Sequence, residues 1–241
     1  MLIRSKPVKP GLISGILNYI YPSDCPLCGN NTDNVKYAPL CVHCWSGIKR
    51  YSGPSCRVCG TPFSSEYSDL CAGCRKKPPF FSRAMSFGIY DNALATAINL
   101  YKFHGARRLH RPLGKLLLQL EISRPDGLVQ VPLSSKGLRA RGFNQSLLLA
   151  KVVSDNAKIP LFMDGLVKKK ETLPQVGLSG KERVSNLKGA FMAGRDFSGM
   201  RLMLIDDVMT TGATANECSK QLLKAGAEDV TVLTLARAGC V

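Results

Sequence analysis

Two groups of residues in this sequence carry types and spacings that could do chemistry. The first is the run Asp206-Asp207-Val208-Met209-Thr210-Thr211-Gly212-Ala213-Thr214, which ends an apolar stretch beginning at Met200. A buried strand over 200–205 would deliver both carboxylates to its carboxyl edge, where open α/β sheets bind ligands. A helix is expected over 215–225, so the N–H groups of residues 210–214 would face outward at a helix N-terminus, whose dipole favours a phosphate. Gly212 lets the backbone approach closely, and the threonine hydroxyls add donors. Adjacent carboxylates beside a phosphate cradle suit a ligand that also presents sugar hydroxyls, with magnesium near. An Asp pair capping a helix is commonplace, and so is a threonine-rich turn; the signal lies in their order after an apolar strand.

The second group is eight cysteines in four Cys-x-x-Cys pairs: Cys25/Cys28, Cys41/Cys44, Cys56/Cys59 and Cys71/Cys74. A two-residue spacer lets both thiolates of a pair face one tetrahedral ion. The pairs form an internal repeat, with Cys25, Cys28 and Gly29 recurring as Cys56, Cys59 and Gly60, and Cys41 and Cys44 as Cys71 and Cys74. We read two copies of a zinc ribbon, each with one glycine-type and one plain pair. An interleaved pairing remains open at this point, as does the choice between one and two ions. Full thiolate coordination leaves no open position for chemistry, so the zinc is structural. A segment this poor in large apolar side chains needs the metal to fold. His43, between two ligands, reads as an outward-facing spacer.

The remaining sequence must position these groups. Composition shifts at the charged, proline-bearing stretch 75–79, which places a boundary near residue 80 between a zinc-binding 1–80 domain and an 81–241 domain. The latter reads as strands at 84–90, 128–131, 200–205 and 229–236, alternating with helices at 92–103, 111–122, 145–157 and 215–225. Such alternation with continuous apolar strands implies an α/β fold, a parallel sheet covered on both faces. The segment 167–191 is too polar for core and reads as a mobile lid or hairpin. Cys218 and Cys240 read as inert buried thiols, and His104 and His110 have no carboxylate partner nearby in sequence.

The chain carries 33 Lys and Arg against 17 Asp and Glu, a net charge of +16. No acidic residue occurs from Asn92 to Leu120, and only Asp155 between Gly127 and Met163. Such a surface attracts polyanions, although a run such as Lys168-Lys169-Lys170 is more often simply solvated. No stretch reaches the roughly 18 apolar residues of a membrane helix. The apolar patch at 12–21 is broken by Ser14, Gly15 and Asn18 and has no cleavage site after it, so a cytoplasmic location is expected.

The 201–214 run resembles the signature by which type I phosphoribosyltransferases bind phosphoribosyl pyrophosphate (PRPP). That resemblance implies that Asp206 and Asp207 hold the ribose hydroxyls, and that Thr210, Thr211, Gly212, Ala213 and Thr214 hold the 5′-phosphate. The stretch 131–145 follows the second strand, where this fold places a short loop against the pyrophosphate. Ser134, Ser135 and Lys136 are suitable donors there, and Arg139 and Arg141 suit phosphate oxygens. With Tyr101-Lys102-Phe103 and the cysteine-rich start, the chain from about Cys25 onward is similar to the ComF family. The resemblance implies a zinc-bearing domain on a type I phosphoribosyltransferase fold, with a role in natural transformation acting on incoming single-stranded DNA. Three functions follow: a magnesium-dependent phosphoribosyltransferase with Asp206, Asp207 and Arg141 at its catalytic centre and an acceptor the sequence does not reveal; a single-stranded-DNA-binding factor using PRPP as a regulatory ligand; or a zinc module docking another DNA-uptake protein.

Overall fold

The computed structural model describes residues 24–32, 34–64, 68–122, 124–170 and 180–238. The apolar patch at 12–21, Cys240, and the 171–179 part of the expected lid lie outside the described residues.

Four strands form one parallel sheet: β1 (Arg83–Ile89), β2 (Gly127–Gln130), β5 (Arg201–Met209) and β6 (Asp229–Arg237), in the order β1-β6-β5-β2. The central pair, β5 and β6, is apolar along most of its length because both faces are covered. On one face, Met203, Ile205 and Leu233 pack against α3 (Asn92–Phe103), α4 (His110–Leu117) and α6 (Gln145–Ala157) through Ile98, Leu113 and Leu149. On the other, Leu202, Leu204 and Val232 meet Cys218 and Leu222 of α8 (Ala213–Lys224), with Leu166 and Phe191. Leu166 and Phe191 belong to an antiparallel pair, β3 (Leu166–Lys168) with β4 (Phe191–Ala193), and α7 (Gly180–Leu187) precedes β4. The polar 167–191 segment is therefore rooted in a two-stranded hairpin with buried ends.

The expected α/β class holds, and three local readings need correction. Strand β5 continues to Met209 rather than stopping at Ile205, because pairing with β6 persists from Asp206↔Thr234 to Met209↔Arg237. Both aspartates thus lie within a strand. The 131–145 stretch is no plain loop: it holds the helix α5 (Ser135–Arg141), whose N-terminus Ser134 caps by accepting from Gly137 N at 3.1 Å. Gly142 closes it at φ 77°, a left-handed conformation that favours glycine. Helix α4 ends at Leu117, five residues short of the expected 122.

The cysteines gather as two consecutive clusters, Cys25/Cys28/Cys41/Cys44 and Cys56/Cys59/Cys71/Cys74, each with its sulfurs within 4.8 Å of one another. This settles the sequential pairing. Facing pairs sit 3.6 Å apart, Cys28 with Cys41 and Cys59 with Cys71, close to the edge of a tetrahedron whose zinc–sulfur bonds are about 2.3 Å. Amides point at sulfur in both: Cys44 N to Cys41 Sγ at 3.4 Å, Cys74 N to Cys71 Sγ at 3.3 Å. The first short helix, α1 (Val42–Ser46), and its repeat, α2 (Ala72–Lys76), supply those amides. Burial and neighbouring thiols push Cys44 and Cys74 well above the ordinary thiol value. Cys25 and Cys59 fall to about 6 despite burial, held by backbone donors at the first and by Thr61 at the second. A divalent cation removes that conflict by taking all four sulfurs as thiolates. His43 is exposed and outside the set.

Both clusters are part of the folded core. Cys25, Cys41 and Cys44 share a cluster with Phe87 and Leu94, while Cys56, Cys59 and Cys74 share the other with Phe81 and Ala84. One ribbon thus packs on each face of the sheet. The wild-type chain is expected to hold two zinc equivalents by elemental analysis, and Cys41→Ser and Cys71→Ser to lose one each. A single equivalent in the wild type, or loss of both in either variant, contradicts two separate clusters.

Candidate functional site

The carboxyl end of β5 builds the site. The turn after Met209 reverses through Gly212, at φ 78°, into α8, where a Cβ would lie 2.7 Å from Met209 Cε. Gly212 stands at the helix N-cap without a side-chain hydrogen bond, so the early amides of α8 are served in part by Thr211 Oγ1, 3.4 Å from Ala213 N. Asp206, Thr210, Gly212, Ala213, Thr214 and Thr234 line one small cavity at this corner. The first aspartate and the threonine turn therefore face a common space.

The two aspartates occupy different environments. Asp206 is half-buried; its Oδ1 accepts from Ser146 Oγ at 2.8 Å and from Asp207 N at 2.9 Å. Burial, and then the charge of Asp207, raise its carboxyl to about 7. Asp207 is only 3% exposed. Its Oδ1 accepts from Lys102 Nζ at 2.9 Å and from Val208 N at 2.7 Å, whereas its buried Oδ2 has no hydrogen-bond partner among the described residues. Burial works against the Lys102 charge, yet Asp207 beside it holds the ammonium above its ordinary value. So one acid meets the cavity and the other anchors a buried ion pair behind it.

The 134–141 residues form the neighbouring wall. Ser134 is committed to capping α5, and Ser135, Lys136 and Arg139 are exposed on that helix. Arg141 NH1 donates to Gln145 Oε1 at 2.6 Å, and its guanidinium lies 5.1 Å from the Phe103 ring centroid. Gln145 O accepts from Tyr101 Oη at 2.8 Å, and Asn144 Nδ2 donates to Val131 O at 3.1 Å. Tyr101, Lys102 and Phe103 at the end of α3 thus meet both the doublet and the start of α6. Sequence reasoning assigned no role to Lys102, Ser146 or Gln145. Ser146 was within reach of it, immediately after the Asn144-Gln145 pair that starts α6; Lys102 gave no local signal.

A carboxyl raised by burial weighs on stability in a definite direction. The folded chain holds the Asp206 proton more tightly than the unfolded chain does, so stability falls as pH rises from the ordinary carboxylate value through about 7. Asp206→Asn is expected to melt higher than wild type at about pH 8, with the gain vanishing towards about pH 4. Thermal melts across that range check it; a gain independent of pH would show that the carboxylate ionises without penalty.

Residues 16–75 match the double zinc ribbon domain. The chain is 34% identical over 225 residues to competence protein F of Haemophilus influenzae, covering 89% of this chain and 96% of that one. It is 33% identical over 190 residues to the DNA utilization protein YhgH of Salmonella typhimurium, covering 76% and 83%. Among solved structures, glutamine PRPP amidotransferase from B. subtilis is similar over 52% of this chain and 26% of that one, at 24% identity and a TM-score of 0.38, too loose a likeness to bear on the site. A relative above 30% identity that is spanned almost end to end, together with the ribbons at the start, makes this chain a member of the ComF family.

Proposed function

We propose that this chain binds PRPP at the end of β5 as a phosphoribosyltransferase-type protein, and that it serves DNA uptake by handling incoming single-stranded DNA. The observation that carries the reading is the cavity that Asp206 shares with Thr210, Gly212, Ala213 and Thr214. Carboxylate acceptors and outward amides at one sheet edge are what a sugar phosphate requires. The names of the relatives, a competence protein and a DNA utilization protein, supply the cellular context. In this reading the boundary near residue 80 separates the zinc-bearing part from the PRPP-binding part. Among the described residues no helix is long and apolar enough to cross a membrane.

Each residue then has a role. Asp206 accepts one ribose hydroxyl directly. Asp207 accepts the second when Lys102 moves aside, through the Oδ2 that otherwise lacks a partner. The amides and hydroxyls of 210–214 take the 5′-phosphate. Lys136, Arg139 and Arg141, with Ser135, face the pyrophosphate, and Ser134 holds their helix in place. Loss of pyrophosphate from C1 develops positive charge over C1 and the ring oxygen, as in glycoside hydrolysis, so the protein's task is to position, to screen and to exclude water. The oxygen donors Asp206 and Asp207 suit a hard cation, and magnesium bound with pyrophosphate would supply positive charge to offset the leaving group. In this reading the antiparallel β3–β4 pair is the base of the lid expected over 167–191.

A specific surface observation favours nucleic-acid binding as well. Phe103 is 64% exposed, and the Arg141 guanidinium lies over its ring. That contact joins two sequence segments without acidic residues, 92–120 and 127–154, into one basic surface. An exposed ring on a cationic surface suits unpaired bases, which stack, over a duplex, whose bases are hidden.

Two measurements test these readings. Calorimetric titration of PRPP with magnesium should give saturable binding for wild type and none for Asp206→Asn/Asp207→Asn; equal binding by both removes the assignment of the doublet. For single-stranded oligonucleotides, Phe103→Ala should weaken binding about tenfold with an unchanged salt slope, while Arg111→Ala should flatten the slope by about one. Wild-type affinity that does not change with salt sinks the nucleic-acid reading.

A further inference from the structure

Arg237, the last residue of β6, is 4% exposed. An arginine stays protonated in proteins, and a buried charge calls for an opposite one. Among the described residues no carboxylate lies within ion-pair distance of it. Its nitrogens reach only neutral oxygens: Nε donates to Cys59 O at 3.1 Å, NH2 to Thr61 Oγ1 at 2.8 Å, and NH1 to Met209 O at 2.9 Å and, more weakly, to Ala238 O at 3.5 Å. The Thr61 hydroxyl in turn sits 3.0 Å from Cys59 Sγ. Four thiolates around one divalent zinc leave roughly two units of negative charge at that centre. Among the described residues, the opposite charge within reach of Arg237 is therefore the second metal cluster, through a single hydroxyl.

We propose that Arg237 is the counter-charge of the second zinc centre, and that through Met209 it couples the loading of that centre to the turn at 210–214. Met209 O, directly before Thr210, accepts from Arg237 NH1 and from Ala238 N at 3.0 Å. On the far shoulder of the turn, Phe80 N donates to Asn216 Oδ1 at 2.8 Å in the first part of α8. Phe80 lies six residues past Cys74, so one shoulder is held by Arg237, itself bonded to Cys59 and Thr61, and the other by chain that leads out of the second ribbon. The ribbon itself is fixed against β1, with Ala84 N donating to Val58 O at 2.7 Å. At Gly60 (φ 65°) a Cβ would lie 3.0 Å from Ala84 O. The first ribbon contacts another part, with Arg108 Nε donating to Ala38 O at 3.0 Å. Among the described residues it has no corresponding hydrogen-bonded path to the turn. The two metal sites are thus unequal: the first braces the helical face, and the second also sets the turn.

Coupling between two binding sites is reciprocal. Ligand at the turn should slow zinc loss from the second cluster, and loss of that zinc should weaken ligand binding. The second half rests on the PRPP reading of the turn; the link between Arg237 and the thiolates does not.

The test uses the full chain loaded with two zinc equivalents and a chromophoric chelator. In Arg237→Met, one equivalent should leave about tenfold faster than in wild type and the other at the wild-type rate, as for removal of one member of a buried charge pair. Saturating PRPP with magnesium should slow that same equivalent in wild type and leave it unaffected in the variant. PRPP affinity should fall about tenfold in Cys71→Ser and stay at the wild-type value in Cys28→Ser. Should Arg237→Met fail to fold by circular dichroism, Thr61→Val removes only the bridging hydroxyl and is expected to give the same pattern more weakly. Unchanged zinc release in these variants overturns the proposal, and so does equal loss of PRPP affinity from the two cysteine variants. Absence of PRPP binding by wild type overturns the PRPP reading instead, and the zinc-release arm alone then decides the role of Arg237.

Discussion

Two carboxylates adjacent in one strand, at the end of a buried sheet, repel each other and lack water to screen the repulsion. Much of the architecture around β5 answers that constraint. Lys102 is brought from the end of α3 to bind Asp207 at 2.9 Å, and Ser146 from the start of α6 to donate to Asp206 at 2.8 Å. Both helices are placed by their apolar faces, through Ile98 and Leu149 among others, so the compensation is built into the core. The answer is incomplete. Among the described residues Asp207 Oδ2 stays unpartnered, and burial still raises the Asp206 carboxyl to about 7.

The parts of this arrangement set by local pattern were legible from residues alone. The repeat of Cys-x-x-Cys-Gly announced two ribbons because metal-ligand spacing is a short-range property. Helices at 92–103 and 145–157 were read to the residue, since residue patterning within one helix is local as well. The reading failed where distant contacts override sequence. Asp206 and Asp207 look like strand terminators, yet β6 pairs with β5 past them and carries the strand to Met209. Ser134–Arg141 looks like a glycine-bearing loop, yet the Ser134 cap makes it a helix. Lys102, at the end of an apolar helix with no acid within a turn, shows nothing of its partner 105 positions away. Arg237 and Cys59 are separated by 178 positions, and no periodicity connects them.

Zinc ribbons are often pictured as appendages, and the cysteine-rich composition of the first eighty residues encourages that view. Here the cysteines pack into both core clusters, one ribbon on each face of the sheet. A four-stranded sheet flanked by few helices buries less than a larger α/β domain does, so covering its two faces with metal-stapled modules compensates for missing layers. This also explains why a small folded unit can place a turn as exposed as 210–214 with both of its shoulders fixed: the fixing comes from chain tied to thiolates rather than from additional helices.

The end of α3 shows how ligand site and basic surface can belong to one device. Tyr101, Lys102 and Phe103 are consecutive, and a helix sends consecutive side chains in different directions. Tyr101 goes inward to Gln145 O, Lys102 to the carboxylate doublet, and Phe103 outward beneath Arg141. Arg141 also holds Gln145, next to the Ser146 that serves Asp206. A base stacked on Phe103 would displace or reorient Arg141, and that movement would be transmitted through Gln145 to the helix start that binds Asp206. The two proposed roles, binding at the carboxylate corner and binding at the basic surface, are therefore compatible. Lys102, which pairs with Asp207, and Phe103, which meets the solvent, are adjacent, so on the proposed reading occupancy of the surface and the state of the carboxylate corner meet at one helix end.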